Sequence, residues 1–336
     1  MIRVVDEIYG SHLITEPVLI ELILSKPVQR LKHINQAGAI KYTTPHATVN
    51  RYQHSIGVLI LLQKLQASLT EQIAGLLHDI PHTAFSHVVD YALHTPGHDF
   101  HEQHHTRIIN ESNIPEILNK HNISLQEVLD ETRHTLLEQD APKLCADRID
   151  YTLRDTQVIR KKDMSYYTKY LTTHNQEIVF TNQEVAISFA HEYLESDKHI
   201  WANPRESAAY ELLAGALRQA LNKEIISKQE LWLTDNQLYN KLQSTSDEVI
   251  QENLSLLNKD LQVTLSETGT YTIKPKFRYI NPKVKTPEGI KLATQLDKQL
   301  SQAIQEHKKW HEGGHRFDIT SKAHILLKSH SEQSRI

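Results

Sequence analysis

Residues 74–90 read AGLLHDIPHTAFSHVVD, and this stretch decides what fold we expect around it. Just before and within it, apolar side chains recur with the period of one helix face, at Ile73, Leu76, Leu77 and Ile80. Ser68-Leu-Thr-Glu71 has the spacing of a capping box that opens a helix, and Pro81 is expected to end it. His78 and Asp79 therefore close an amphipathic helix, where core packing would fix their atoms.

Glycine (10 residues) and proline (11 residues) are scarce in the 336-residue chain, which favours long helices. The sequence pattern predicts helices at residues 55–65, 85–93, 141–158 (capped by Asp140), 206–227, 236–257 and 289–309. It predicts a loop at 94–101, a β-hairpin at 178–190 and a second β-rich stretch at 262–284. The predicted fold class is mostly α, with a helical core, small β-hairpin elements and a helical C-terminal lobe.

The composition excludes several classes of protein. A net charge of −4, from 37 basic and 41 acidic residues, and only 7% aromatic residues argue against extended nucleic-acid binding. One cysteine, Cys145, rules out a disulfide framework and indicates a reducing compartment. The N-terminal MIRVVDEIYG lacks the layout of a signal peptide, and the longest apolar run, residues 56–62, is too short to span a membrane. We therefore expect a cytoplasmic protein with no membrane partner.

Histidine is abundant, with 22 residues, and imidazole together with carboxylate is the ligand set that divalent metals bind. The candidate ligands are His54, the adjacent pair His78 and Asp79, and Asp147. A His-Asp step alone carries no information, since a second one, His98-Asp99, follows Pro96-Gly97 in a predicted loop. A metal site requires rigid support, so the step that closes a helix is the better candidate.

Asp147, Tyr151 and Asp155 are spaced four residues apart, so they line one face of a predicted helix. Two acids and a phenol on one face indicate a functional surface. A solvated face with Arg148 and Arg154 as ion-pair partners explains the same spacing equally well.

Four motifs in chain order resemble those of the HD-domain metal-dependent phosphohydrolases, and among them most closely the deoxynucleoside triphosphate triphosphohydrolases. The motifs are NRYQHSIGV (50–58), AGLLHDIPHTAFSHVVD (74–90), FHEQ (100–103) and ADRIDYTLRD (146–155). Residues 15–40 and 233–250 also resemble this family. The resemblance implies an HD-domain helical core at 1–230, with the signature at 51–155, and a C-terminal helical lobe and charged tail at 231–336.

The resemblance implies that one divalent ion is bound by His54, His78, Asp79 and Asp147. The metal in this family is manganese, iron, cobalt, nickel, zinc or magnesium. Two imidazoles and two carboxylates fit the transition ions better than magnesium, without choosing among them. The ion would lower the pKa of a bound water and hold a phosphate oxygen.

The resemblance also implies a catalytic group, His87, Asp90 and His101. Asp90 follows His87 by one helical turn, so its carboxylate can orient the imidazole. The implied substrate-binding residues are Gln36, Arg51, His82, Arg148, Tyr151, Asp155 and Tyr210. The two arginines would contact phosphate, and Gln36 and Asp155 would contact the sugar 3′-hydroxyl. Nothing ties four further histidines to the site, namely His94, His98, His104 and His105.

Two departures from the family pattern bear on the substrate. Ala37 stands where relatives with strict deoxynucleotide selectivity have leucine, which relaxes exclusion of a 2′-hydroxyl. A family arginine that binds phosphate falls at Ala202 or Asn203, unless Arg205 substitutes for it from another turn. Its loss would favour a shorter phosphate chain.

The favoured activity is hydrolysis of (deoxy)nucleoside triphosphates to nucleoside and triphosphate by a homo-oligomer. The alternatives are a nucleotidase or phosphodiesterase acting on another nucleotide, a nuclease on short single strands, and a nucleotide-sensing protein that signals through its C-terminal lobe.

Overall fold

The structure is a computed structural model that describes residues 1–95, 97 and 99–321. Pro96, His98 and the part of the charged tail after residue 321 lie outside the described residues. The elements up to the middle of the chain are β1 (Ile2–Asp6), β2 (Gly10–Ile14), α1 (Pro17–Leu24), α2 (Lys26–Arg30), α3 (Ile40–Thr43), α4 (Arg51–Lys64), α5 (Leu69–Leu77), α6 (Val88–Leu93), α7 (Phe100–Gln103), α8 (His105–Asn110), α9 (Ile114–Lys120), α10 (Leu125–Leu129) and α11 (Ala146–Arg160).

The later elements include three helices of 14 to 19 residues. They are β3 (Leu171–His174), β4 (Glu177–Phe180), α12 (Gln183–Ser196), α13 (Pro204–Asn222), α14 (Asp235–Ser244), α15 (Glu248–Leu256), β5 (Leu261–Leu265), β6 (Tyr271–Ile273), β7 (Lys283–Thr286), β8 (Gly289–Leu292), α16 (Ala293–Leu296), α17 (Lys298–Glu312) and β9 (His315–Ser321). A π-helical turn, Asp197–Trp201, joins α12 to α13. The prediction of a mostly α fold with small strand units is confirmed. The domain boundary at residue 230 stays a prediction.

Helix α4 lies at the centre of the fold and packs against α5 and α11. Asn50 caps it by accepting from the Gln53 N–H at 2.9 Å, while the Gln53 amide oxygen accepts from the Asn50 N–H at 3.0 Å. The stretch from Ser55 to Leu62 is buried throughout, as expected for a helix enclosed by other helices. His54 is therefore held on a helix with little freedom to move.

One buried carboxylate connects α5 to the start of α11. Ser68 caps α5 by accepting from the Glu71 N–H at 3.2 Å, as the sequence predicts. The Glu71 side chain does not complete the capping box; it accepts instead from the backbone N–H groups of Leu136 at 2.7 Å and Leu137 at 3.0 Å. The Leu136 carbonyl accepts from the N–H of Ala146, the first residue of α11. The elements that carry His78 and Asp147 are thereby fixed to each other.

The strands form three small sheets. β1 and β2 make an antiparallel hairpin, and a four-stranded sheet has the order β3-β4-β7-β8, in which β4 and β7 are parallel. A three-stranded antiparallel sheet has the order β5-β9-β6. Strands from the C-terminal part thus join strands from the middle of the chain in one sheet.

The β-hairpin predicted at 178–190 is wrong beyond β4, because a helix follows in place of the second strand. β4 pairs with β3, and Asn182 caps α12 by accepting from the Val185 N–H at 3.0 Å. The buried side chains of α12 recur at helical spacing, including Ala186, Phe189, Ala190 and Tyr193. This helical stripe outweighs the β-branched residues that indicated a second strand.

Three predicted helices have different bounds in the structure. The helix expected from Ala141 begins at Ala146, because Asp140 accepts from the Lys143 N–H through its backbone carbonyl and forms a turn. The helix expected at 236–257 is two helices, since Asp247 caps α15 by accepting from the Ile250 N–H. The helix expected at 85–93 begins at Val88, because Phe85 and Ser86, the first two residues of the predicted range, have positive φ angles.

Two further boundaries differ near the ends of predicted segments. The helix expected at 289–309 opens as β8, which pairs with β7, before α16 and α17. The loop expected at 94–101 ends earlier, because α7 begins at Phe100. Across the described ranges, no helix combines the length and apolar character that crossing a bilayer requires.

Gly57 lies where α4 crosses α11, and the missing side chain leaves room for a buried ion pair. A Cβ atom at this position would overlap both Asp150 Oδ1 and Arg154 Nη2. These two side chains are buried and bonded to each other, so they cannot move aside. We expect Gly57→Ala to lower the free energy of unfolding by about 1–3 kcal/mol, measured by urea denaturation.

Gly313→Ala is the matched control, because a Cβ atom there meets nothing within 4 Å. We expect it to change the free energy of unfolding by less than about 0.5 kcal/mol. Equal unfolding midpoints for Gly57→Ala and the wild type would contradict the crossing described here.

Candidate active site

A cavity of about 440 Å³ opens where α4, α11 and α13 meet the chain after α5 and the segment before β7. It is lined by all of the site residues predicted from the sequence except His54 and Asp90. Those two side chains are buried behind the wall and contact residues that line it. The structure thus brings together residues from five separate stretches of the chain.

The four predicted metal ligands converge at one end of this cavity. His54 Nε2 lies 3.2 Å from His78 Nε2 and 2.9 Å from Asp147 Oδ1. His78 Nε2 lies 3.5 Å from Asp79 Oδ1 and 3.5 Å from Asp147 Oδ1, and His54 Nε2 lies 3.8 Å from Asp79 Oδ2. Ligand atoms about 2.1 Å from one ion at right angles would be about 3 Å apart. His54, His78 and Asp147 lie close enough to one another to share a single small ion, and Asp79 lies beside the two imidazoles.

The hydrogen bonds on the far side of each imidazole show that this group fits a cation. His78 Nδ1 lies 2.7 Å from the Gly75 carbonyl oxygen, which can only accept, so Nδ1 carries the proton. His54 Nδ1 faces Asp150 Oδ2 at 2.8 Å and donates in the same way. With Nδ1 as the donor of each ring, both Nε2 atoms face the centre of the cluster and are available as ligands beside the two carboxylates. Four converging acceptors repel one another unless positive charge lies between them.

The close contacts between imidazoles and carboxylates shift the pKa values of His54 and Asp147. Burial opposes a charge on His54, but hydrogen bonds to Asp147 and Asp150 outweigh it and raise the pKa of the imidazole to about 10. Burial also opposes ionisation of Asp147, yet its bonds to His54 and His78 hold its pKa below the usual range.

A chain of buried ion pairs supports His54 from behind. Asp150 Oδ2 accepts from Arg154 Nε at 2.7 Å, and Arg154 Nη2 donates to Asp6 Oδ2 at 2.7 Å. Asp6 belongs to β1, so the chain of contacts runs from the N-terminal hairpin to the ligand cluster. A carboxylate behind a ligating imidazole fixes its tautomer and increases its basicity.

Arg51 and His82 hold Asp79. Arg51 Nη1 donates to both oxygens of Asp79 at 2.7 Å, and Arg51 Nε donates to Ser86 Oγ at 2.8 Å. His82 Nε2 lies 3.3 Å from Asp79 Oδ1. Arg51 was predicted to contact phosphate; in this structure its guanidinium faces the Asp79 carboxylate.

Three imidazoles cluster beside the ligands. The rings of His82 and His101 stack at 3.8 Å, and His87 meets each edge-on at 4.8 and 5.1 Å. His87 Nδ1 lies 3.0 Å from Asp90 Oδ2, and the Phe100 N–H donates to Asp90 Oδ1. Burial, with the nearby charges of His87 and Arg51, lowers the pKa of His101 to about 3. His101 is therefore neutral near pH 7.

The predicted substrate residues contribute aromatic surface and unpaired oxygens. Tyr151 and Tyr193 share a hydrogen bond at 2.8 Å, and Tyr210 donates to the Ala37 carbonyl at 3.1 Å. Trp201 Nε1 donates to Asp155 Oδ2 at 2.8 Å, while burial raises the pKa of Asp155 to about 6.

Two buried oxygens of the cavity lack a hydrogen-bond partner within the described part of the chain. They are Gln36 Oε1 and Asp155 Oδ1, from the two residues predicted to read the same sugar hydroxyl. Arg148 differs, since its Nη1 donates to the Gln139 and Lys143 carbonyls and its Nη2 to Glu138.

The cavity wall also contains residues that the sequence did not indicate. His105, expected to be a surface histidine, lines the cavity, and burial lowers its pKa to about 4. Lys276 and Arg278 also line the cavity, and the basic run KPKFR at 274–278 could have indicated them from the sequence. Arg205, expected as a substitute phosphate ligand, does not line the cavity; it donates to the Thr43, Lys259 and Leu261 carbonyls.

Comparisons with known proteins identify relatives of this chain. The model of the HD domain matches residues 51–155. The protein YdhJ of Bacillus subtilis is 41% identical over 284 residues, which cover 83% of this chain and 87% of that protein. The metal-dependent phosphohydrolase cns2 of Cordyceps militaris is 37% identical over 253 residues, 72% of this chain and 73% of that protein.

More distant similarities cover either a part of the chain or its fold alone. The human deoxynucleoside triphosphate triphosphohydrolase SAMHD1 is 35% identical over 103 residues, 26% of this chain and 16% of that protein. A solved phosphohydrolase from Bacteroides thetaiotaomicron superposes with a TM-score of 0.75 at 18% identity and covers 96% of this chain and all (100%) of that one.

The chain therefore belongs to the HD-domain metal-dependent phosphohydrolases. The resemblance read from the four motifs is confirmed at this level, and the protein is a hydrolase that uses a divalent metal. The identity of the metal and the number of ions stay predictions.

Asp150 is expected to matter for metal binding although it is not a ligand. Asp150→Asn removes the charge that supports the His54 imidazole, and we expect divalent metal affinity to fall about 10–100-fold, measured by isothermal titration of the metal-stripped protein. Asp163→Asn, an exposed carboxylate, is the matched control. Unchanged affinity in a folded Asp150→Asn protein would contradict the supporting role.

The ligand cluster also predicts a thermal response to metal. Adding Mn²⁺ to the stripped protein should raise its Tm, because an ion at 100 times its Kd stabilises the folded state by about 2.7 kcal/mol. The increase should disappear in His78→Gln and Asp147→Asn but persist in His174→Gln, whose side chain is exposed. Calorimetry that shows the full increase in His78→Gln would argue against this set of ligands.

Proposed function

We propose that the protein hydrolyses nucleotides as a (deoxy)nucleoside triphosphate triphosphohydrolase that releases nucleoside and triphosphate. One observation carries this proposal: the ligand cluster and the imidazole cluster share a boundary in one cavity. His82 contacts the ligand Asp79 at 3.3 Å and stacks on His101 at 3.8 Å. A phosphoryl group at this boundary would meet ligands on one side and a proton donor on the other.

A divalent ion, when bound, supplies polarisation of a phosphoryl oxygen and lowers the pKa of the attacking water. His54, His78, Asp79 and Asp147 would hold that ion. His87 would protonate the leaving oxygen as the P–O bond breaks, because Asp90 binds its Nδ1 and no hydrogen bond engages its Nε2 within the described residues. The buried Asp90 carboxylate stabilises the imidazolium that donates this proton.

The nucleoside end of the cavity is suited to a sugar hydroxyl. Gln36 Oε1 and Asp155 Oδ1 are buried acceptors that lack donors in the described residues, and a hydroxyl can donate to either. A site built to hydrogen-bond a hydroxyl discriminates strongly against ligands without one. The local similarity to SAMHD1 supports the same substrate class.

A second candidate is a nucleotidase that acts on a shorter phosphate chain. Arg205 is bonded to backbone carbonyls outside the cavity, and Arg148 faces carbonyls and Glu138, so neither guanidinium is free for a triphosphate. Ala37 lines the cavity, and its small side chain would leave room for a 2′-hydroxyl. The phosphodiesterase, nuclease and sensor alternatives, the homo-oligomeric state and the cytoplasmic location stay predictions.

A nucleotide panel tests both candidates. The Mn²⁺-loaded protein is incubated with ribo- and deoxynucleoside tri-, di- and monophosphates, and the products are separated by chromatography. Free triphosphate supports the first candidate, and orthophosphate from monophosphates supports the second. If no phosphoester is turned over while metal is confirmed to be bound, the proposed function is wrong.

His87→Gln is expected to lower kcat by about 10²–10⁴-fold, because the leaving oxygen loses its proton donor. Metal content should stay the same, since His87 is not among the ligands. His33→Gln, an exposed imidazole, is the control and should keep wild-type kcat. A His87→Gln enzyme with undiminished kcat would remove the proposed proton donor.

A further inference from the structure

The segment at 275–278 brings a guanidinium into the cavity from a part of the chain outside the HD region. Arg278 lines the cavity and is one-third exposed, with 33% of its side-chain surface accessible. Its Nη1 donates to the Lys276 carbonyl at 3.3 Å and lies 3.6 Å from Asp197 Oδ1. Among the described residues no other hydrogen bond engages this guanidinium, so several of its N–H groups are free.

The other two guanidinium groups of the cavity are already committed to the protein. Arg51 holds both oxygens of Asp79 at 2.7 Å. Arg148 donates to two backbone carbonyls and to Glu138. A phosphate chain needs donors that do not have to leave a protein acceptor, and Arg278 supplies them in a planar fork suited to phosphate oxygens.

We propose that Arg278 is the anion-binding residue of this cavity and holds the phosphate oxygens of the substrate that lie away from the reacting phosphorus. The nature of that substrate as a nucleotide rests on the proposed function. Arg278 contacts the π-helical turn that also carries Trp201, the hydrogen-bond partner of Asp155.

Asp197 and two histidines of α17 position this arginine. Asp197 Oδ2 accepts from His307 Nε2 at 2.9 Å and from His311 Nε2 at 2.8 Å, and all three side chains are buried. Phe277, next to Arg278, lies with its ring centroid 5.7 Å and 5.4 Å from those of His307 and His311. The backbone on the N-terminal side of Arg278 is therefore fixed on α17.

The same three polar side chains lie close enough to share an ion. The guanidinium of Arg278 approaches the remaining oxygen of Asp197, and this positive charge disfavours a divalent cation. The cluster is thus better suited to hold Arg278 than to bind metal, and Asp197, His307 and His311 are positioning residues.

Inorganic triphosphate is the probe, titrated calorimetrically into the full chain. We expect Arg278→Gln to weaken its Kd by about 10–100-fold, the range for a hydrogen bond to a charged group, and Arg278→Lys to retain part of the affinity. Lys274→Gln is the matched control, because Lys274 lies in the same basic run, is exposed and does not line the cavity. Equal triphosphate affinity in Arg278→Gln and the wild type, or no binding to the wild type, would overturn the proposal.

The positioning role of Asp197 and His307 is tested by combining their substitutions with Arg278→Gln. Asp197→Asn and His307→Gln should each weaken triphosphate binding in the wild-type background and add nothing in the Arg278→Gln background. A merely structural role would lower Tm and give additive losses in Kd, which would overturn the positioning role. These titrations do not require turnover. An inactive wild type that still shows the Arg278 contrast refutes the proposed function alone, and an active enzyme without the contrast refutes this inference alone.

Discussion

The convergence of four acceptors, two imidazole nitrogens and two carboxylates, is the constraint on which the rest of the site depends. The Nε2 atoms of His54 and His78 face each other at 3.2 Å because each ring donates its Nδ1 proton elsewhere. Such an arrangement holds only with positive charge at its centre and rigid support behind it. The buried α4 and the ion pairs behind His54 provide that support.

The sequence predicted the parts of the site that are encoded locally. Helix periodicity and a cap located α5, and the motifs predicted that His54, His78, Asp79 and Asp147 lie together. The hairpin expected at 178–190 failed because Asn182 can end a strand or cap a helix, and only the packing of α12 decides between them. His105 and Arg278 were missed because their place in the cavity depends on contacts distant in sequence.

The arginines of the cavity differ in whether acceptors of the protein already bind their guanidinium groups, and residue type alone does not show this difference. Arg51, Arg148 and Arg278 all line it, yet two of them are neutralised by acceptors of the protein. A motif identifies an arginine but not the carboxylate that it faces. The structure therefore changes the assignment of roles even where it brings most of the predicted residues to one cavity.

The hydrogen bonds of the Glu71 side chain bear on which segments of this protein can change during sequence divergence. Its carboxylate accepts from the backbone N–H groups of Leu136 and Leu137. These bonds fix the helix that leads to His78 relative to the segment that leads to Asp147. The roughly forty residues between α6 and that contact contain none of the proposed ligands, yet they contribute His101 and His105 to the cavity. Residues of that segment can therefore change the selectivity of the cavity while the frame that holds the ion keeps its alignment.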